Sequence, residues 1–208
     1  MLDAVRNDAV PSRAAGARRR AIVIMLGFAV MFALGAAGGG PQLRGRPIGY
    51  VLTLIAAWLP LAAMATWAGV ARGRSMLGRP ASWKLVVAVV TPAALLATWL
   101  AVALAWPATL QDMSGAHSHL VCLRATIVLA VGPLVAFFLV GRGSDVVSPR
   151  LGGAAMGAAA GAWGAAALPL FCGFTAPLHI ALGHVLPVAL VAAFGALLGD
   201  RFLSIRRA

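Results

Sequence analysis

VCLRATIVLAVGPLVAFFLV, residues 121–140, decides the architecture. Its one charge, Arg124, sits near an end, and everything after it is apolar. About 20 such residues are what an α-helix needs to cross the hydrocarbon core of a bilayer. The run is continuous rather than alternating, which favours a helix over a barrel strand, and in lipid the backbone must satisfy its own hydrogen bonds. Five more runs of this kind flank it, at about 21–40, 48–71, 84–106, 151–171 and 178–199. The joints are short and polar or Gly/Pro-rich: PQLRGRP, RGRSMLGRPAS, PATLQDMSGAHSH, GRGSDVVSPR and CGFTAP. Pro60, Pro92, Pro133 and Pro187 lie inside the runs, where membrane helices tolerate proline if neighbours re-satisfy the freed carbonyls. The expected fold is all-α, an integral membrane bundle of six transmembrane helices. A tail over residues 1–20, a transmembrane domain over 21–200 and a tail over 201–208 are its expected parts.

Composition agrees. Of 208 residues, 62% are hydrophobic and the mean hydropathy is +0.93, whereas soluble domains are roughly 45–50% apolar. Glu is absent, and the five acids are Asp3, Asp8, Asp112, Asp145 and Asp200. A sizeable soluble domain is not expected. The first twenty residues are polar and basic, and the run behind them is longer than the apolar core of a cleavable signal peptide, so none is expected.

Charge orients the bundle. The N-terminal tail carries Arg6, Arg13, Arg18, Arg19 and Arg20; the second joint carries Arg72, Arg74 and Arg79, with Lys84 at its edge. The fourth joint adds Arg142 and Arg150, and the C-terminal tail Arg201, Arg206 and Arg207. Of the seventeen Lys and Arg residues, only Arg44, Arg46 and Arg124 fall on the other side. Short loops rich in Lys and Arg stay in the cytoplasm, so both termini are expected there, in a multi-pass protein of the bacterial inner membrane. The net charge of +12 then reflects this asymmetry and attraction to anionic lipid. It does not point to direct nucleic-acid binding, because no soluble basic domain carries it.

The same orientation sorts the reactive side chains. His117, His119, Cys122, Cys172, His179 and His184 all fall on or near the periplasmic side. Cys and His are the ligands that soft and borderline metal ions prefer, and two cysteines in an oxidising compartment can also pair. His119 and Cys122, three apart, share a face of any helix that starts there. Against this stands the plainer reading: a lone membrane Cys is a small packing residue, and a His near a helix end is an interfacial polar group. Six of six on one side favours function for Cys122 and Cys172. The plainer reading holds for His117, His119 and His179 taken singly. His184 differs, because an ionisable group within a span is a functional candidate by default.

Gly153, Gly157 and Gly161 form a small-residue line on one face of the fifth run, a surface for close helix packing. Packing within the bundle is the favoured use, ahead of a dimer contact. Trp83 and Trp106 bracket the third run as interface anchors, and no Trp is assigned to a cofactor. An enzyme is not expected, because paired acids, a Ser/His/Asp set and a metal-hydrolase motif are all missing. An ion-coupled transporter would bury charge at mid-span, where this chain is almost purely Ala, Leu, Val and Gly.

Several stretches, taken in order, resemble a known family. They are Cys122 opening VCLRATIVLAVGPLVAFFLV, then SPRLGGAAMGAAAGAWGAAALPLFC ending at Cys172, then PLHIALGHVLPVALVAAFGALLGDR with His184 and Pro187. In the tail, Leu2, Asp8 and Pro11 are similar to the family's start before a basic stretch. The chain so resembles the NrsF-type membrane anti-sigma factors, negative regulators of extracytoplasmic-function sigma factors of the sigma F kind. The resemblance implies sequestration of such a sigma factor at the membrane and its release on a periplasmic metal or oxidative signal. It implies that Cys122 and Cys172 are the sensor, with a soft metal ion as signal rather than as an obligatory cofactor. Phe171 and Gly173 depart from the His and Pro that commonly flank the second Cys, leaving His119 and His184 as candidate further ligands. Leu2, Arg6, Asp8, Pro11 and Arg13 are the candidate sigma contacts. Two rival expectations are a small transporter or metal-handling protein, testable in liposomes, and a structural subunit of a larger membrane complex, unstable when expressed alone.

Overall fold

The computed structural model describes residues 13–38, 47–70, 80–107, 116–142, 144 and 147–204. Six helices long and apolar enough to cross a membrane account for nearly all of them. They are α1 (Arg13–Ala37), α2 (Ile48–Val70), α3 (Ala81–Ala105), α4 (Ala116–Gly141), α5 (Pro149–Ala167) and α6 (Pro177–Phe202). A 3₁₀ turn, Leu168–Leu170, closes α5. Helix α1 starts well before the apolar run, because Ala14, Ala15, Ala17 and the arginines that follow are good helix formers. Pro60, Pro92 and Pro133 sit inside uninterrupted helices.

Helix α5 is the axis of the bundle. It packs against α2, α3, α4 and α6, and every residue from Gly152 to Ala162 is buried. Nearly all of these are Ala or Gly, so four neighbours reach its backbone at once. The glycine line faces α6. A Cβ on Gly153 would lie 2.1 Å from the Gly195 carbonyl oxygen, one on Gly157 2.3 Å from that of Val191, and one on Gly161 2.8 Å from the Val188 Cα. The line is therefore an internal seam, as the sequence favoured. Polar ties reinforce the packing. Trp58 donates its indole N–H to the Leu95 carbonyl and to Thr98 at 3.0 Å each, Trp99 to the Tyr50 hydroxyl at 3.1 Å, and Trp163 to Thr66 at 2.8 Å. Trp58 and Trp99 are thus core residues.

The outside is as apolar as the inside. Met25, Leu26, Leu52, Met64, Leu104, Val121 and Leu197 are all exposed, far more than a monomeric protein in water presents. Helix α1 packs chiefly on α4, through a crossing where a Cβ on Gly132 would lie 2.2 Å from the Gly27 carbonyl oxygen. The start of α1 and the end of α6 emerge at the same end of the bundle. There Lys84 donates to Ser148 at 2.8 Å, and Arg150 pairs with Asp200. The Arg150–Asp200 pair is exposed, 77% and 47%, and contributes little.

Candidate functional site

At the opposite end, three segments converge: the first turns of α4, the link between α5 and α6, and the first turns of α6. Each contributes side chains that water barely reaches. Cys122 is 7% exposed, Cys172 4%, His179 0% and His184 1%. The Cys122 S–H donates to the Cys172 Sγ at 3.1 Å, and His179 Nε2 lies 3.1 Å from the same sulfur. The other nitrogen of His179, Nδ1, meets the Nδ1 of half-buried His119 at 3.1 Å. One ligand atom from each of Cys122, Cys172, His179 and His184 lies within 4.8 Å of every other.

Local sequence explains the convergence. Pro187 has no N–H, so the helix cannot make its ordinary bond back to the Gly183 carbonyl. Residues Ala181–Val185 widen into a π turn just before it, and Thr126 of α4 donates its hydroxyl to that carbonyl at 2.8 Å. A neighbouring Thr re-satisfying a carbonyl is what a proline in an apolar helix requires. The same hydroxyl lies 2.9 Å from the Cys122 carbonyl, so the contact fixes the π turn against the cysteine helix. Gly183 permits the approach, since a Cβ there would come within 3.1 Å of the Cys122 Cβ.

Cys172 lies in the link rather than in a span. Its thiol is held well below its ordinary range, first because Cys122 donates to it and then through hydrogen bonds with His179 and His184, while burial acts in the opposite sense. The structure holds the two sulfurs at hydrogen-bonding rather than covalent separation.

A model of the family described as negative regulator of sigma F, NrsF, matches residues 5–204. The chain belongs to the NrsF family. Neither curated relatives nor solved structures returned a match. Negative regulation of a sigma factor is thus the function, and a sigma factor the partner, that NrsF membership carries.

Of the residues singled out in the sequence, the structure brings together Cys122, Cys172 and His184, with His119 one contact away. His179, which the sequence left as an interfacial group, stands at the centre of the cluster. The spacing from His184 argued against it, and the one sequence signal was Pro187, which disturbs the helical bonding beside both histidines. Leu2, Arg6, Asp8 and Pro11, and the side chains of Arg13 and His117, lie outside the described residues; Arg13 opens α1.

Proposed function

We propose that this NrsF protein is an anti-sigma factor of the bacterial inner membrane, with both termini in the cytoplasm. It holds an extracytoplasmic-function sigma factor through its N-terminal segment and releases it when a soft metal ion or an oxidant engages Cys122 and Cys172 from the periplasm. The observation that carries this reading is the buried thiol pair, 3.1 Å apart, at the end of the bundle away from Lys84, Arg142, Arg150 and Arg201. Two thiols so placed can bind one soft ion. They can also lose two protons and two electrons to hydrogen peroxide, forming one S–S bond and two waters.

The packing around the pair supports a route to the tail. Met31 of α1 packs with Cys122 and Cys172. The Phe171 ring, next to Cys172, lies against Gly35 of α1, where a Cβ would come within 2.6 Å of the ring. Helix α1 continues directly into the N-terminal segment at the other end. A change in the separation of the sulfurs acts on α1, which opens at Arg13 and follows in sequence the segment with the candidate sigma contacts Leu2, Arg6, Asp8 and Pro11. A signal shifts such an equilibrium only by its difference in affinity between the holding and released states.

Tagged protein is purified in mild detergent from its own cells, and its partners are identified by mass spectrometry. A sigma factor is expected with the full chain and not with a chain lacking residues 1–20. Retention of the sigma factor by the shortened chain would refute the assignment to the tail; its absence from both would refute the anti-sigma mechanism by direct sequestration.

A further inference from the structure

We infer that His179 and His184 complete, with Cys122 and Cys172, a closed four-ligand site for one divalent ion of the zinc class. The inference rests on the reading of the two cysteines as a sensor, and it adds the ligands and the class of ion.

Geometry comes first. In an α-helix, residues five apart point about 140° away from one another, so His179 and His184 could not both face α4. The π turn at Ala181–Val185 changes this, because its bonds run between residues five apart. Both rings turn inward, with centroids 5.4 Å apart. A tetrahedral ion with bonds of about 2.3 Å to sulfur and 2.0–2.1 Å to nitrogen separates its ligand atoms by roughly 3.4–3.8 Å. The four candidate atoms already lie within 4.8 Å of one another. Small side-chain rotations suffice, and the cysteine sulfurs have only to part slightly from 3.1 Å.

Charge selects the ion. Two thiolates and two neutral imidazoles carry a charge of −2, which a divalent cation cancels. In a site 0–7% exposed, the neutral assembly is the one that costs least to bury. A monovalent ion would leave one negative charge, and a trivalent ion one positive charge. The donor set contains no carboxylate, which disfavours magnesium and calcium, and a tetrahedral set of two sulfurs and two nitrogens points to zinc and its congeners. Four protein ligands leave no open position, as in sites where the ion binds rather than catalyses.

His119 is the positioning residue. Its Nδ1 contacts the Nδ1 of His179 at 3.1 Å, which leaves His179 Nε2 directed at the cysteines. Metal-bound imidazoles commonly use their second nitrogen in this way, and loss of such a partner weakens binding by about 10–100-fold.

The test uses full-length protein in detergent micelles, reduced and stripped with a chelator, then titrated with Co²⁺ as the probe. One equivalent should bind, with the intense visible bands of a tetrahedral site and a sulfur-to-cobalt charge-transfer band. His184→Ala and His179→Ala should each lose the tetrahedral bands, and His119→Ala should keep them while binding about 10–100-fold more weakly. X-ray absorption of the zinc-loaded wild type needs no variant and should show two sulfurs and two imidazole nitrogens. Cobalt spectra unchanged in both His179→Ala and His184→Ala, or a zinc shell without imidazole, would overturn the histidine assignment. Release of the sigma factor that still depended on Cys122 and Cys172 would then leave the sensor reading standing. Absence of any Co²⁺ binding by fully reduced protein would overturn the site altogether. If the cysteine variants also failed to change release, the sensor reading would fall with it.

Discussion

Substituting Gly153 by Ala adds one methyl group where α5 and α6 cross. That carbon would sit 2.1 Å from the Gly195 carbonyl oxygen and 2.9 Å from the Gly199 Cα, whereas ordinary contact begins near 3.4 Å. The obstacle is backbone, so no rotamer change relieves it, and the helices must part locally by about 1.3 Å, the difference between those separations. A gap of 0.5–1 Å already forfeits a quarter to a half of each dispersion contact along the seam. Overpacking of this kind costs about 1–3 kcal/mol. The upper part of that range applies here because Gly157 and Gly161 share the crossing. A loss of about 2–3 kcal/mol corresponds to roughly 30–150-fold in the folded-to-unfolded ratio. Unfolding by SDS in mixed micelles, followed through the fluorescence of buried Trp58 and half-buried Trp163, reads it directly. Gly173→Ala is the matched control, since nothing lies within 4 Å of a Cβ there, and its midpoint should stay within about 0.5 kcal/mol of wild type. Equal midpoints for the two variants would refute the seam as the axis of the fold.

Three further outcomes follow from contacts around the site. Thr126→Val keeps the shape but leaves the Gly183 carbonyl without its donor, and should cost about 1–3 kcal/mol, with Thr126→Ser restoring most of it; unfolding midpoints check both. Treatment with a peroxide should join Cys122 to Cys172 within one chain, seen by mass spectrometry as the loss of two hydrogens. A prior equivalent of Zn²⁺ should slow that oxidation at least tenfold, because bound thiolates are withheld from the oxidant. Trp58→Phe removes the indole donor shared by Leu95 and Thr98 and should cost about 1 kcal/mol, again read from the unfolding midpoint.

Most of the fold was legible because lipid imposes a length on every span. Six apolar runs became six helices, and the largest shifts were at helix starts: α1 begins at Arg13, where Ala14, Ala15 and Ala17 extend it beyond its apolar part, and α4 begins at Ala116. The glycine line also declared itself, since small residues four apart leave a groove that only another backbone fills. Trp58 and Trp99 were harder. An interfacial Trp and a buried one look alike in sequence, and what separates them is an acceptor on a distant helix, the Leu95 carbonyl for one and the Tyr50 hydroxyl for the other. Consecutive helices carry the two cysteines, which allowed their closeness without fixing it. His179 was not expected beside them, since the π turn that aims it arises from Pro187 acting together with Thr126, and a contact between separate helices leaves no mark on hydrophobic periodicity.

The order in which the chain is made gives the glycine seam a consequence for biogenesis. Insertion proceeds from the N-terminus, and what commits a segment to lipid is mainly Leu, Ile, Phe and Val. Helix α5 has few of these, being mostly Ala and Gly, so the central helix gains least from the bilayer and most from its neighbours. When it leaves the ribosome, α2, α3 and α4 have already been made and can shield three of its sides. Its glycine face stays bare until α6 arrives. His179 and His184 travel on α6, so closing the seam and delivering the last two imidazoles are one event. The four-residue cluster can therefore form only once α6 is in place, and a chain without it has the cysteines but neither imidazole.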